Sequence, residues 1–355
     1  MSIRPALAAL MAGSVLLSGC VVAALPVIAA AGIGKNAMDG QDGKKRKASK
    51  RARQQAAPKP GQVIRTENGT AVITGLTALP PPSGAAPATA KPAVVPPEMQ
   101  YLYGSGEGSA ISLQAYRGLW NFLHNEIGYR RDKSQISSVV LSRGSTLTSP
   151  KFDLCGKRKL AVVLDVDETA LLNLGFEYDA AAKPAPYDQS KWSRWEQTGA
   201  GKVVAVPGAA DTLAAARNEG ITVIFNSNRS TSSAAQTAAA IEAAGLGPAV
   251  LGDTLWLRDD GAPSGKDERR WKISETYCVV AMVGDQLGDF SDLFNTGEYS
   301  PAMRRNMTSE SLLATLWGAG WFVLPNPVYG SALHGGLDEV FPKDKQWADP
   351  AEEKK

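Results

Sequence analysis

The chain has 355 residues, of which 44% are hydrophobic, and its formal net charge is +3. This composition is ordinary for a globular protein and leaves room for one or two domains with a proper core. The two histidines, His124 and His334, lie in no pattern typical of a metal site or a nucleophile. We therefore expect no histidine nucleophile and no His-rich zinc site. Acid–base chemistry must come mostly from carboxylates and lysines.

The first 20 residues are typical of a secretory signal, because Arg4 precedes an apolar stretch that ends in small residues. The signal ends in LLSGC, which resembles the lipobox of bacterial lipoproteins. That resemblance implies that Cys20 is cleaved free, lipidated and anchored in a membrane. Val21 in place of an aspartate favours the outer membrane of the cell envelope, with the protein facing the periplasm or the cell surface. The alternative is an uncleaved membrane-spanning anchor over residues 5–34, which carry no charge.

Residues 21–98 are predicted to form a flexible tether between this signal and a folded domain. Basic residues come first, in KKRKASKRAR at 44–53, and an Ala- and Pro-rich stretch with few large apolar residues follows. The sequence around Asn68 and Gly69 is compatible with a small hairpin. The basic residues either contact anionic lipid phosphates or belong to a solvated linker, and the sequence leaves both alternatives open.

Residues 99–347 are predicted to form the folded domain, and residues 348–355 a charged tail. Apolar residues at helical spacing predict a first helix over 109–129. Five further elements are predicted to alternate after it: strand 160–164, helix 207–220, strand 221–228, helix 231–245 and strand 278–285. This order predicts an α/β fold with a parallel sheet flanked by helices.

Acidic side chains follow the first and third predicted strands. Asp165 and Asp167 come directly after the first strand, and Asp285 and Asp289 end or follow the third. Because ligands of parallel sheets bind beyond the carboxyl ends of the strands, we expect these carboxylates and Lys266 to converge at one edge. Oxygen ligands without His or Cys suit Mg²⁺, and a metal beside a lysine suits a phosphate group. A free carboxylate beside that metal can attack phosphorus and form an aspartyl-phosphate.

Four motifs follow one another at the strand ends: DVDET at 165–169, FNSNR at 225–229, GK at 265–266 and GDQLGDF at 284–290. They resemble the four motifs of the haloacid dehalogenase-like (HAD) phosphatases. KWSRW, AVPGA and LPNPVYG, together with the lipobox, narrow this resemblance to the bacterial class C acid phosphatases, the lipoprotein 5'-nucleotidase family. It covers about residues 99–347. It implies a Rossmann-like sheet with a small, mainly helical cap inserted over about residues 171–204.

The resemblance implies a role for individual residues of these motifs. Asp165 would be the nucleophile, and Asp167 the general acid that then becomes the base. Ser227 would hydrogen-bond a phosphoryl oxygen, and Lys266 would neutralise the charge of the transferring group. The implied Mg²⁺ ligands are Asp165, Asp285 and the backbone carbonyl of Asp167. The implied supporting residues are Thr169, which would orient Asp167 or the phosphate, Asn228, Arg229, and Asp289, which would bind the metal through water or brace the site.

Aromatic residues in and after the cap are candidates for binding a nucleobase. The resemblance implies that Tyr187, Trp192 and Tyr329 stack on the base, whereas Trp195 is expected in the core of the cap. Gln286 stands where the family usually has Asn, which leaves substrate preference and pH optimum open. Asp292 is expected to be only surface charge or a helix cap.

The resemblance thus implies a Mg²⁺-dependent acid phosphatase, a phosphoric monoester hydrolase acting on small phosphomonoesters such as nucleoside monophosphates. No nucleic-acid polymer is expected as a partner, and the resemblance allows a homodimer. The alternative is a surface ligand-binding lipoprotein on the same fold without turnover. Cys155 precedes the first strand and Cys278 lies at the start of the third, so they can form a disulfide if those strands are neighbours. Free buried thiols are the alternative.

Overall fold

The computed structural model describes residues 94–295 and 299–349 of the chain. The strands of this part are β1 (Ser137–Leu141), β2 (Phe152–Leu154), β3 (Lys159–Leu164), β4 (Leu171–Leu172), β5 (Val204–Ala205), β6 (Thr222–Ser230), β7 (Leu255–Arg258), β8 (Tyr277–Gly284) and β9 (Trp321–Val323). The α-helical segments are α1 (Pro97–Met99), α2 (Gly106–Arg131), α3 (Leu174–Ala182), α4 (Gln189–Thr198), α5 (Ala209–Asn218), α6 (Ala234–Ala243), α7 (Asp267–Thr276), α8 (Pro301–Ser309) and α9 (Leu337–Val340).

Five of these strands form a parallel sheet in the order β7, β6, β3, β8 and β9. The last residue of the central strand, Leu164 of β3, lies opposite Phe225 of β6 and Val283 of β8. Every residue of β3 after Lys159 is buried, because helices or loops cover the strand on both sides. This double burial is why β3 is a continuous apolar run and not an alternating one.

Helices cover both faces of this sheet. Along β3, Leu160, Val162 and Leu164 face one hydrophobic core, whereas Ala161 and Val163 face the other, as the twofold period of a strand requires. The first core is closed by α2, α5 and α6, and the second by α7 and the antiparallel β1–β2 pair. The predicted α/β, Rossmann-like fold is therefore confirmed.

A small cap is inserted between β3 and β6. At its base β4 and β5 pair in antiparallel fashion, with Leu171 opposite Ala205 and Leu172 opposite Val204. α3 and α4 lie between these two strands in the sequence. The Asp188 carboxylate begins α4 by accepting a hydrogen bond from a backbone N–H of its first turn. The insertion is mainly helical, and it lies where the sequence predicts the cap.

A disulfide lies at the amino-terminal edge of the sheet. Cys155 is bonded to Cys278, their Cα atoms are 5.0 Å apart, and both side chains are buried. Cys278 lies in β8 opposite Leu160 of β3, so the two strands are neighbours. This adjacency is the condition on which the sequence-based disulfide depended, and the structure forms the bond in place of two free thiols.

Some elements differ from the sequence-based expectation. The patterns do not predict β7, β9 or the β1–β2 pair, because runs of three to five residues are too short to show a period. The first helix is longer than predicted, since Ser105 caps α2 by accepting a hydrogen bond from the backbone N–H of Gly108 at 2.9 Å. The helix predicted over 207–220 is shorter in the structure, where it is α5.

Several predictions concern parts of the chain outside the described residues. These are the signal, the lipidation of Cys20, the tether up to residue 93 with its hairpin at Asn68 and Gly69, and residues 350–355 of the tail. Among the described helices, none is both long enough and apolar enough to cross a bilayer.

Candidate active site

The loop after β3 presents Asp165 and Asp167 at the carboxyl edge of the sheet. The backbone N–H of Asp165 still donates to the carbonyl of Val283 at 3.0 Å, so the β3–β8 ladder extends to this residue. The backbone N–H groups of Ala170 and Leu171 both donate to the carbonyl of Val166, and these two hydrogen bonds close a tight turn. Both aspartates line one pocket at this edge.

Lys266 connects this loop to the fourth motif. Its Nζ donates to Asp165 Oδ1 at 2.6 Å and to Asp289 Oδ1 at 2.7 Å, and its side chain is buried. Burial by itself lowers the pKa of Lys266, but the two carboxylates raise it, and the net direction is upward. A charged ammonium group therefore lies against the carboxylate that is predicted to attack phosphorus.

Asp292 holds the start of α7 and thereby positions Lys266. Its carboxylate accepts hydrogen bonds from the backbone N–H groups of Lys266 and Asp267, each at 2.8 Å. The fully buried Arg270 forms ion pairs with Asp267 and with Asp292, at 2.5 and 3.2 Å. Asp292 thus has the second of its two predicted roles, that of a helix cap.

Asp285 follows β8 and forms a group of three carboxylates with Asp165 and Asp289. One oxygen of each lies within 4.8 Å of the others. Asp285 accepts hydrogen bonds from Thr169 Oγ1 at 2.9 Å and from Asn326 Nδ2 at 2.7 Å. Burial, and after it the charge of Asp289, raises the pKa of Asp285 to about 7. Burial also raises the pKa of Asp165 well above its usual range, although Lys266 opposes this.

This group of donors fits a divalent cation that prefers oxygen ligands. Buried carboxylates that repel one another remain ionised more easily when a cation lies among them. The absence of His and Cys from the group of three suits Mg²⁺ better than zinc. Both oxygens of Asp289 are already engaged, Oδ1 by Lys266 and Oδ2 by the backbone N–H groups of Asp285 and Gln286. For Asp289 this geometry favours the bracing role of the two that the sequence left open.

Asp167 is held by Arg229 and Asn173, apart from the group of three. Arg229 Nη2 donates to Asp167 Oδ1 at 2.7 Å, and Asn173 Nδ2 donates to the same oxygen at 2.9 Å. Burial alone would raise the pKa of Asp167, but the charge and hydrogen bonds of Arg229, with that of Asn173, bring it below its usual value. The surroundings therefore move the pKa values of Asp165 and Asp167 in opposite directions.

Three predicted site residues make contacts other than those expected. Ser227 is fully buried and donates to Asp167 Oδ2 at 3.4 Å, so its contact with a phosphoryl oxygen stays a prediction. Thr169 donates to Asp285 and not to Asp167, because the turn after β3 directs its hydroxyl group towards the end of β8. Asn228 donates to the carbonyl of Ser264 at 2.9 Å and so ties β6 to the loop before α7.

Glu168 is a buried carboxylate in DVDET that the sequence predictions left out. It accepts hydrogen bonds from the hydroxyl groups of Tyr103 and Tyr329 and from the backbone N–H of Asn173. Burial, followed by the charge of Asp167, raises its pKa to about 8. Its φ of 52° is a left-handed conformation that residues other than glycine rarely adopt. Backbone strain and a buried acid at one residue are typical of functional sites.

The pocket above these residues has a volume of about 790 Å³. Tyr187, Trp192 and Tyr329 line it, so the three aromatic residues predicted for substrate binding are brought together around one space. Trp195 is not among the lining residues. It packs against Phe176 of the cap, with ring centres 6.0 Å apart, as expected for a residue in the core of the cap.

The family follows from comparison with known proteins. A family model described as HAD superfamily, subfamily IIIB (Acid phosphatase) matches residues 122–332, which is more than half of the chain. The chain belongs to this acid phosphatase subfamily. Two solved structures of the Class C acid phosphatase from Bacillus anthracis, one with tungstate bound, are similar to the phosphatase at 25% identity and a TM-score of 0.51. The matches cover 72% of this chain and 92% and 91% of those chains.

These findings show that the phosphatase is a phosphomonoesterase of the class C type. They confirm the family that its motifs resemble, and they favour an enzyme over a non-catalytic binding lipoprotein. Its substrates are accordingly phosphomonoesters. A divalent metal fits both the family and the three clustered carboxylates of the phosphatase.

Other residues of the phosphatase site were missed for two reasons. Asn173 follows DVDET by four residues and Asn326 lies in LPNPVYG, and this position in or beside a motif was the signal that could have identified them. Tyr103 carries no such signal, and Glu196 directly follows KWSRW but has its partner far away in the sequence. Tyr103 reaches Glu168 from 65 positions away, and Glu196 accepts a hydrogen bond from Ser233 across 37 positions, so only the fold brings them together.

Proposed function

We propose that the phosphatase is a Mg²⁺-dependent enzyme that releases phosphate from 5'-nucleotides through an aspartyl-phosphate on Asp165. The observation that carries this proposal is the contact of Lys266 Nζ with Asp165 at 2.6 Å, next to two further carboxylates in a pocket with aromatic walls. A buried ion pair of this kind is weak evidence for a contribution to stability. Its position in the pocket favours a role in chemistry.

The proposed reaction has two steps. In the first, a carboxylate oxygen of Asp165 attacks phosphorus, the bond from phosphorus to the leaving oxygen breaks, and Asp167 gives that oxygen its proton. In the second, Asp167 takes a proton from water, and the water oxygen attacks phosphorus and breaks the bond to Asp165. Inorganic phosphate leaves, and both aspartates return to their initial states. Lys266 neutralises the charge of the transferring group throughout.

The lowered pKa of Asp167 supports this assignment for an acid phosphatase. Because Arg229 favours the ionised carboxylate, Asp167 is a ready base for the second step, and its proton for the first step is present mainly at low pH. Asp165, Asp285 and the backbone carbonyl of Asp167 would hold Mg²⁺. When bound, the ion supplies positive charge that reduces the repulsion between the carboxylates and an anionic substrate.

The aromatic walls support a nucleotide as substrate. Tyr187 is 69% exposed and Tyr329 is 37% exposed, so both offer ring surface to a ligand in the pocket. Stacking of a base on such a ring contributes about 1–3 kcal/mol in nucleic-acid binders. Trp192 is fixed differently, since its Nε1 donates to Glu196 Oε1 at 2.5 Å. A phosphate at Asp165 and a base among these rings would occupy the two chemically distinct parts of the pocket.

The cellular setting is a further part of the proposal. The signal and lipobox of the first 20 residues support lipidation at Cys20 and an outer-membrane position, facing the periplasm or the cell surface. There the phosphatase would act on esters too polar to cross the membrane. Replacing Cys20 by Ser should release the protein from the membrane fraction and abolish incorporation of labelled fatty acid. A homodimer stays a prediction from the family resemblance.

The first experiment measures phosphate release from 5'-AMP and p-nitrophenyl phosphate by the purified full-length protein, with Mg²⁺ and with EDTA. We expect turnover with Mg²⁺ that EDTA abolishes. Asp165→Asn should lose at least about a thousandfold in kcat, as expected when a nucleophile is removed. Asp188→Asn is the matched control, because this carboxylate also lines the pocket but belongs to the cap.

The outcomes are separable. EDTA-resistant turnover would contradict the metal dependence alone, and full activity in Asp165→Asn would contradict the nucleophile. Turnover of p-nitrophenyl phosphate with a much lower kcat/KM for 5'-AMP would contradict the nucleotide preference. A stable phosphoenzyme trapped by acid quench and located on Asp165 by mass spectrometry would support the covalent step directly.

A further inference from the structure

Each cation that lines the pocket has a carboxylate partner, with one exception. Its lining cations are Lys183, Lys191, Arg229, Arg258 and Lys266. Both cap lysines bind one carboxylate, that of Asp179, at 2.8 and 3.0 Å. Arg229 and Lys266 bind the catalytic aspartates. Arg258 has no carboxylate within ion-pair distance among the described residues, so its charge remains available.

Arg258 lies at the carboxyl end of β7, on the same edge of the sheet as the aspartates. It is half-buried. Burial raises the pKa of Tyr187 and the charge of Arg258 opposes this rise, so the guanidinium lies near this pocket-lining ring. The charge of Arg258 also acts on Arg269, which donates to Asn226 and Asn228 and forms no ion pair with a described carboxylate. Neither of these two neighbouring cations has an ion-pair partner among the described residues, which favours an anion beside Arg258.

The distance between the two ends of the pocket limits what this anion can be. β7 is separated from β3 by one intervening strand, β6, so two strand spacings of about 4.8 Å, roughly 10 Å in all, separate their backbones. The long side chain of Arg258 spans part of this distance. A group several bonds away from a phosphate at Asp165 can cover the rest of this distance.

We propose that Arg258 binds a second anionic group of the substrate, a phosphate or carboxylate several bonds away from the phosphate that is removed. The preferred substrates are then phosphomonoesters with two separated anionic groups. This inference rests on the proposed function, since it places the reacting phosphate at Asp165. Arg258 is a specificity residue in this role and takes no part in bond breaking.

The test compares adenosine 3',5'-bisphosphate with 5'-AMP, which differ by one phosphate. For the full-length protein with Mg²⁺, we expect kcat/KM for the bisphosphate to exceed that for 5'-AMP about two- to fivefold, the size expected for a half-exposed charged contact. Arg258→Gln should reduce this ratio to about one, and Arg258→Lys should keep part of it. Lys183→Gln is the matched control: it removes a pocket cation that already has a carboxylate partner, and it should leave the ratio unchanged.

The same ratio is measured as relative affinity by calorimetry in the Asp165→Asn protein, with and without Arg258→Gln. Binding in this background needs no turnover, so failure of the proposed reaction and failure of the second-anion site give different results. A wild-type ratio near one, or a ratio that Lys183→Gln lowers as much as Arg258→Gln, overturns the inference. A ratio that only the Arg258 variants reduce supports it.

Discussion

At the scale of single residues, Arg229 controls the proton affinity of Asp167. We predict that Arg229→Gln raises the pKa of Asp167, because burial then acts without the opposing guanidinium. In the proposed mechanism Asp167 carries the proton that goes to the leaving oxygen, so the alkaline limb of the kcat profile should move to higher pH by about one to two units. The measurement is kcat for p-nitrophenyl phosphate from about pH 4 to pH 9.

The control for this prediction is Arg229→Lys, which keeps a positive charge but cannot form the same fork of donors. Its limb should lie between those of the native protein and Arg229→Gln. A lower kcat without any movement of the limb would show that Arg229 only positions Asp167.

Tyr329 and Tyr103 both donate to Glu168, and a comparison of their variants distinguishes a role in substrate binding from a structural role. Tyr329 lines the pocket and donates to Glu168, whereas Tyr103 donates to Glu168 and lies outside the lining. We predict that Tyr329→Phe raises KM for 5'-AMP about fivefold, the effect of roughly one lost hydrogen bond on the position of the ring. Tyr103→Phe should leave KM unchanged. If both variants changed KM for 5'-AMP equally, both hydroxyl groups would have a structural role.

At the scale of elements, α3 of the cap carries a buried acid, Glu177. Burial raises its pKa to about 7, and Lys191 opposes this only in part. The folded protein therefore binds a proton at Glu177 more tightly than the unfolded chain. Its favourable contribution to stability is complete below the ordinary pKa, near 4.5, and is lost as the pH rises through about 7. We predict up to about 3 kcal/mol of pH-dependent stability from this residue.

The measurement is the free energy of unfolding by urea at several pH values between about 4.5 and 8. Glu177→Gln should flatten the decline with rising pH. Asp179→Asn, on the same helix, should leave the decline in place, because ion pairing lowers the pKa of Asp179 and its titration lies below this window. A native slope that persists in Glu177→Gln would assign the pH dependence to other buried groups.

At the scale of the whole molecule, the disulfide joins two distant parts of the fold. Cys155 and Cys278 are separated by 123 positions, so the bond closes a long loop at the edge of the sheet opposite the active site. We predict that replacing both cysteines by Ala lowers the free energy of unfolding by about 2–5 kcal/mol. The kcat at a temperature where the variant remains folded should be close to native, since Asp165 lies at the other end of β3.

Urea unfolding and kcat of the double variant check the two halves of this prediction. Treatment of the native protein with a reductant provides the comparison without a mutation. An unchanged unfolding midpoint would contradict a stabilising role, and a loss of kcat in the folded variant would show that the two edges of the sheet are coupled.

The long buried elements could be predicted from the sequence because their burial produces a pattern of apolar residues within each segment. β3, β6 and β8 are apolar runs covered on both faces, and α2 has apolar residues at helical spacing. β7 and β9 have four and three residues, which is too short for a period. They are strands because a neighbouring strand offers them hydrogen bonds at the sheet edge: the backbone N–H of Met282, opposite Trp321, donates to the carbonyl of Gly320.

The sequence by itself determined the fold class, the family and the edge of the sheet at which Asp165, Asp167, Lys266 and Asp285 come together. Motif order and the parallel-strand rule are enough for these, because they depend on the ends of strands and not on side-chain contacts. Only the tertiary structure decided that Thr169 contacts Asp285, that Arg229 and Asn173 hold Asp167, and that Glu168 is buried between two tyrosines. It also decided which pocket cation has no carboxylate partner among the described residues. Those properties depend on the distances between charges from separate segments and on their burial, and no local pattern in a sequence encodes either.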